Sequence, residues 1–109
     1  MKRLNEEEFE TMKWALNNEQ LEEIRSKGRI QLNKEQMLDT LNNEIEKTSN
    51  ALIEYSNYYN NTTNDDEKEL MNKCLEGARI RVNDMQQLFN KLENDNEDYL
   101  QIFLKGNRG

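Results

Sequence analysis

The stretch LNKEQMLDTLNNEIEKTSNALIEYSNYY, residues 32–59, carries the pattern that decides the fold. Its apolar and small residues recur at alternating steps of three and four, which is the spacing of one buried face on an α-helix. Acidic and amide side chains fill the opposite face. The residues of this first seam are Leu38, Leu41, Ile45, Thr48, Leu52, Tyr55 and Tyr59. The pattern predicts one long helix over residues 34–60.

The beginning of the same stretch marks a helix N-terminus. Asn33 is a favoured N-cap residue, and Gln36, three positions later, can reach back to it as in a capping box. The same arrangement of an asparagine, a later Glu or Gln and flanking apolar residues recurs in LNEEEF from residue 4 and in LNNEQL from residue 16. The three similar stretches therefore predict three helix starts and not a chemical motif.

A second seam follows the polar stretch YNNTTNDD, residues 59–66. Asn64 offers a further N-cap, and the apolar positions beyond it again alternate steps of three and four. These positions are Met71, Leu75, Ala78, Val82, Met85, Phe89 and Leu92. A second helix over 65–93 is predicted. Because short connections join antiparallel neighbours, the two helices are expected to form a long, coiled-coil-like antiparallel hairpin.

The N-terminal segment does not fit a single helical face. On a continuous helix over 6–27, Trp14 and Leu21 point away from the face that carries Met12. The segment therefore either breaks near Asn17 or carries a second apolar stripe that needs a second partner.

The C-terminal segment LENDNEDYLQIFLKG is expected to form a short helix over 97–105, which begins after Asn94 or Asn96 and ends at Gly106. No proline and only four glycines interrupt the chain. We therefore expect an all-α fold, in which residues 1–109 form one small helical bundle. The N-terminal and C-terminal helices would pack on the hairpin.

The net charge of −7 limits the kinds of partner that this protein is expected to bind. An acidic chain repels nucleic acid and anionic membranes, so we expect no direct nucleic-acid binding and no membrane binding. A protein target with a basic surface fits better. No apolar run has the length of a membrane span or a signal segment, and the single cysteine, Cys74, fits a reducing cytoplasm. Cys74 flanks the second seam and is expected to be a buried, inert thiol.

The residue inventory argues against several chemistries. Histidine is absent, which removes Ser-His-Asp and Cys-His pairs and the histidine-containing metal motifs. No glycine-rich phosphate loop is present. A carboxylate-only, magnesium-dependent hydrolase remains a remote alternative, and its acids would be Glu19 with Glu22 and Asp66 with Glu69. First-turn acids that stabilise helix ends explain the same residues. We predict a protein without catalytic residues, metal or cofactor.

Three groups of surface residues are candidates for partner binding. Trp14 with Leu21 is the feature that the predicted fold explains least, because a tryptophan is seldom exposed without a partner. Tyr58 is either an interface anchor or a residue that closes the end of the helix. An acidic row on the first long helix is either a solvated face or an imitation of a phosphate backbone. The row consists of Glu35, Asp39, Glu46 and Glu54.

These features suggest a small acidic protein-binding module. The leading hypothesis is a phage-type inhibitor that covers a basic or apolar surface of a bacterial nucleic-acid enzyme or defence system, within the bacterial host cytoplasm. The composition, rich in Asn, Lys, Glu and Ile, is typical of AT-rich genomes such as those of low-GC bacteria and their phages. The alternative is a structural or assembly protein, a scaffold or chaperone that self-associates, and a homodimer is compatible with either hypothesis.

Overall fold

The computed structural model describes residues 1–106, and the last three positions of the predicted 1–109 domain lie outside this range. The described chain contains four helices and one two-stranded sheet. The elements are α1 (Glu6–Ala15), α2 (Asn18–Lys27), β1 (Arg29–Asn33), α3 (Lys34–Asn61), α4 (Asp65–Asn94) and β2 (Leu100–Leu104). The protein is therefore mostly helical, as expected, but it is not all-α.

The asparagines of the three similar stretches cap three of the helices. Asn5, Asn17 and Asn33 precede α1, α2 and α3, and each forms both hydrogen bonds of a capping box. Asn64 caps α4 by accepting a hydrogen bond from the backbone N–H of Glu67. Between α1 and α2 the backbone is extended at Leu16, with ψ of 132°. The N-terminal segment therefore breaks into two helices, which is one of the two alternatives that the sequence left open.

The prediction of a C-terminal helix over 97–105 is wrong. Residues 100–104 form β2, which pairs antiparallel with β1 so that Ile30 lies opposite Phe103 and Asn33 lies opposite Leu100. A short helix is marginal on its own, and this segment has none of the capping-box bonds that start the similarly short α1 and α2. The strand instead receives its backbone partners from β1, whose residues alternate between exposed and buried. This alternation in RIQLN, residues 29–33, was the missed signal of a strand.

The hydrophobic core lies where the sheet covers one end of the α3–α4 pair. The aromatic rings of Phe9 and Phe103 stack there, with centroids 5.1 Å apart. The largest fully buried side chains are Met12, Met37, Leu41, Met85, Leu92 and Phe103. Residues from α1, α3, α4 and β2 therefore share one core, which holds α1 and the sheet on the long helices.

The two long helices lie side by side. At one end, Lys34 at the start of α3 donates to the backbone carbonyl of Glu97, just beyond α4, at 3.2 Å. At the other end, the hydroxyl of Tyr58 near the end of α3 donates to Glu67 in the first turn of α4, at 3.2 Å. The start of each helix thus lies near the end of the other, and residues 62–64 join them.

The half of this pair near residues 62–64, the distal half, buries little. Leu75 is buried there, but Ile53, Leu70 and Ile80 are more than half exposed. Cys74 is exposed as well, which contradicts the expected buried thiol. The physical reason is that neither α1 nor the sheet extends over this part of the helix pair, so one side of its seam is open to water. Within residues 1–106, none of the helices combines the length and the apolar content of a membrane-spanning segment.

Candidate protein-binding site

An open groove of about 590 Å³ lies between α1, α2 and the end of β2. We call it the tryptophan groove. Its apolar lining consists of Trp14, Leu16, Leu21, Ile24, Phe103 and Leu104. It brings together two residues that the sequence had singled out, Trp14 and Leu21, and it adds residues from a strand that the sequence analysis had assigned to a helix.

The local sequence explains how the groove forms. The helix break at Leu16 and Asn17 turns the chain, so Trp14 near the end of α1 and Leu21 near the start of α2 border the same space. Gly28 then ends α2 with φ of +86°, a left-handed conformation that glycine adopts without a steric penalty. The chain passes into β1, and the pairing of β1 with β2 places Leu104 opposite Arg29.

Trp14 is held in place and is still accessible. The guanidinium carbon of Arg81 on α4 lies 5.4 Å from the centroid of the Trp14 ring, a cation–π contact. Even so, 49% of Trp14 is exposed, with 42% of Leu21 and 49% of Leu104. Single exposed apolar residues are ordinary on protein surfaces, but large ones that gather in one groove are typical of binding sites.

Charged side chains border the groove. Lys13 forms an ion pair with Glu10 at 3.0 Å, and Arg25 pairs with Glu22. Lys105 also lines the groove. Because two of the three cations have acidic neighbours, the border keeps only a small excess of positive charge. The groove therefore offers mainly apolar contact area to a ligand.

We compared the chain with protein-family models, with curated proteins and with solved structures. None of them matches it.

The other predicted site residues lie elsewhere. None of the residues of the acidic row lines the tryptophan groove, although all four are exposed on α3. Tyr58 lies near the end of α3, where its hydroxyl donates to Glu67. The negative charge of Glu67 and this hydrogen bond raise the pKa of Tyr58. The fold thus separates the predicted residues into three places.

Sequence reasoning missed Phe103, Leu104 and Arg81 as parts of this region. The short apolar run LQIFL, residues 100–104, could have indicated a strand and so the first two. No sequence pattern pairs Arg81 with Trp14, because the contact joins residues far apart in the chain.

Two of the four acids considered for a metal site lie beside cations. Glu22 pairs with Arg25, and Glu69 lies 3.9 Å from Lys73. In the part of the chain from residue 1 to 106, no three His, Cys, Asp or Glu side chains lie close enough together to hold a metal ion.

Proposed function

We propose that this chain is a small protein-binding module that holds an apolar segment of a larger protein in the tryptophan groove. One observation carries the proposal: Trp14, Leu21 and Leu104 come from three separate elements, and each keeps more than two fifths of its surface exposed at the same groove. Burial of such residues against a partner removes apolar surface from water and stabilises a complex.

Trp14 would be the anchor of this complex. Tryptophan is among the residues whose truncation weakens protein interfaces most, often by about 2 kcal/mol or more. Its contact with Arg81 favours one position of the ring before binding, so less side-chain entropy is lost when a partner arrives. Met12 of α1 and Phe103 of β2 belong to the core beneath the groove, and Ile24 of α2 packs against it. These contacts hold the three elements in place.

The biological role that we propose is inhibition, in which the bound protein loses access to the surface that this module covers. A phage-type inhibitor of a bacterial nucleic-acid enzyme or defence system is the specific form of this proposal. The exposed acidic row on α3 supports it, because a row of carboxylates attracts a basic surface that ordinarily holds phosphates. The α3–α4 pair would present this row as a rigid, coiled-coil-like hairpin.

A second candidate is a scaffold that self-associates. The observation that favours it is the set of apolar residues on the distal half of the long helices, namely Ile53, Leu70 and Ile80, each more than half exposed. Sedimentation velocity over a hundredfold range of concentration tests this candidate. A dimer that forms in the concentration series would favour the scaffold.

The proposed function is tested by capture from a bacterial lysate on immobilised protein, followed by mass spectrometry. Trp14→Ala should lose the captured protein, whereas Ile80→Ala should retain it. Ile80 is a matched control, since it is an apolar residue with 54% exposure on α4 that does not line the tryptophan groove.

The fluorescence of Trp14 gives a second readout, since it is the single tryptophan of the chain. Addition of the captured partner should shift its emission to shorter wavelength, because the ring becomes less hydrated. Capture that persists in Trp14→Ala, together with an unchanged emission spectrum, would show that the partner binds at another surface.

A further inference from the structure

Helix α1 acts as a third helix on the α3–α4 pair, but only along part of its length. Glu8 in its first half forms an ion pair with Lys91, and Trp14 near its end contacts Arg81. The helix therefore follows α4 from residue 91 down to residue 81. Just beyond its end, Gln20 of α2 donates to the hydroxyl of Thr40 on α3 at 2.9 Å. The chain turns away from the helix pair at this point.

Beyond Arg81, the space between α3 and α4 continues as an open groove of about 430 Å³, which we call the distal groove. Its floor consists of Thr48, Ala51, Tyr55, Cys74, Gly77 and Ala78. Residues of the same two seams nearer the core, Leu41 and Met85, are 0% and 1% exposed. In the distal groove, Tyr55 is 39% exposed. The distal groove therefore lies in line with α1 beyond the end of that helix, and the seam between α3 and α4 is uncovered there.

The dimensions of the distal groove suit another helix. On α3 the lining of the groove runs from Glu44 to Tyr55, so this part of the helix measures about 17 Å. The distance between packed helices depends on the side chains at their contact, and Gly77 and Ala78 are the smallest available. A Cβ atom placed on Gly77 would meet nothing within 4 Å, which leaves room for a close approach. A partner helix of about three turns would fill the groove.

The charges on the border of the distal groove indicate what kind of helix fits. Lys47, Lys73 and Arg81 line it with one acid, Glu44, and Glu69 lies 3.9 Å from Lys73. The border therefore keeps an excess of positive charge, although the whole chain has a net charge of −7. Helix α1 already shows this complementarity, because it begins with three glutamates and one of them, Glu8, pairs with Lys91 on α4. An acidic helix would extend the same ionic pattern along the pair.

We propose that the distal groove binds an acidic amphipathic helix of a partner protein, seated as a continuation of α1. Its apolar face covers Tyr55 and the small residues of the floor, and its carboxylates face Lys47 and Lys73. This surface is separate from the tryptophan groove. The two meet at the contact between Trp14 and Arg81, so one partner can occupy both or two partners can bind independently.

The test uses two synthetic 16-residue amphipathic peptides that share a leucine and alanine face. Glutamate flanks this face in one peptide and lysine flanks it in the other. Fluorescence anisotropy at low salt measures binding, and the reaction rate of Cys74 with a disulfide reagent reports coverage of the groove floor. The glutamate peptide should bind and slow the reaction of Cys74 several-fold, and the lysine peptide should do neither.

Charge reversal then locates the site. The double variant Lys47→Glu with Lys73→Glu should weaken binding of the glutamate peptide by about tenfold or more, since it replaces attraction by repulsion. The matched control is Arg29→Glu with Arg79→Glu, which changes the net charge equally at exposed positions outside the distal groove. The control should change the affinity by less than about threefold, because charges away from the groove are screened. Circular dichroism should show the same helix content in both.

Other outcomes overturn the proposal. Equal weakening in the control would mean that net charge alone attracts the peptide, and equal binding of both peptides would mean unspecific apolar contact. Concentration-dependent protection of Cys74 without peptide would assign the groove to a second copy of this chain. The result is independent of the proposed function, because Trp14→Ala should abolish partner capture and leave peptide affinity within about twofold. Loss of peptide binding in Trp14→Ala alone would place the peptide in the tryptophan groove.

Discussion

At the scale of single residues, Asp95 shows how one side chain joins distant segments. Its carboxylate accepts hydrogen bonds from the backbone N–H of Glu97 at 2.9 Å, from Lys2 at 2.9 Å and from the hydroxyl of Tyr99 at 2.8 Å. These donors, the backbone N–H first, hold the pKa of Asp95 well below its usual range. Burial and the neighbouring carboxylate raise the pKa of Tyr99. Asp95 therefore links the N-terminal segment, the end of α4 and the start of β2.

We expect Asp95→Asn to lower the free energy of unfolding at pH 7. Since the pKa of Asp95 is lower in the folded than in the unfolded protein, the carboxylate contributes stability above its unfolded pKa of about 4, and this contribution declines as the pH falls through the folded value. The difference between wild type and variant should therefore shrink below about pH 4. Urea denaturation at pH 7, 5 and 3 measures it, with the exposed Asp39→Asn as control. A difference that stays constant with pH would contradict the account.

At the scale of elements, local sequence decided where the helices begin. The expected ranges 34–60 and 65–93 compare with the observed Lys34–Asn61 and Asp65–Asn94. A capping box needs only residues three positions apart, so a helix start of this kind can be recognised from local sequence. The strands needed more, since β2 takes its backbone partners from residues about 70 positions earlier, as in the pairing of Ile30 with Phe103. The same peptide read in isolation resembled a short helix.

Removal of one N-cap should show how much a capping box contributes to the free energy of unfolding. In α2, Asn17 accepts from the backbone N–H of Gln20 at 2.8 Å and donates its own N–H to the Gln20 side chain at 3.0 Å. We expect Asn17→Ala to lower the free energy of unfolding by about 1 kcal/mol. Chemical denaturation measures this change.

Asn43→Ala is the control for the cap. Asn43 is exposed within α3, where alanine favours the helix, so this change should leave stability equal or raise it by some tenths of a kcal/mol. If Asn17→Ala behaved like Asn43→Ala, the capping box would contribute nothing to the stability of the fold.

At the scale of the whole molecule, the long helices have one half that α1 and the sheet cover and a distal half that they leave uncovered. The described part measures 52 × 33 × 20 Å, and the core lies at the end that α1 and the sheet cover. The two halves share one pair of helices but differ in the apolar surface that they bury. Both candidate binding grooves border the uncovered half or the edge of the core, where exposed apolar side chains remain.

Hydrogen exchange should reveal this division. We expect backbone amides of residues 37–41 and 85–92 to exchange most slowly, and amides of residues 50–58 and 68–74 to exchange at least about tenfold faster. The reason is that opening of the distal half exposes little buried apolar surface. Native-state exchange followed by NMR checks this, and the glutamate peptide should slow exchange in the second group. Uniform protection along α3 and α4 would contradict the division.

The sequence by itself determined the two long helices, the N-caps and the exposure of the acidic row, and it offered the break near Asn17 as one of two alternatives, because each depends on residues within one or two turns. Tertiary structure decided the rest. It placed β2 beside β1, seated Arg81 on Trp14 and left Cys74 uncovered, since these outcomes depend on which distant segments meet. Trp14 marks the boundary between the two: its unusual position was visible in the sequence, but the groove around it required α2 and β2 to arrive from elsewhere in the chain.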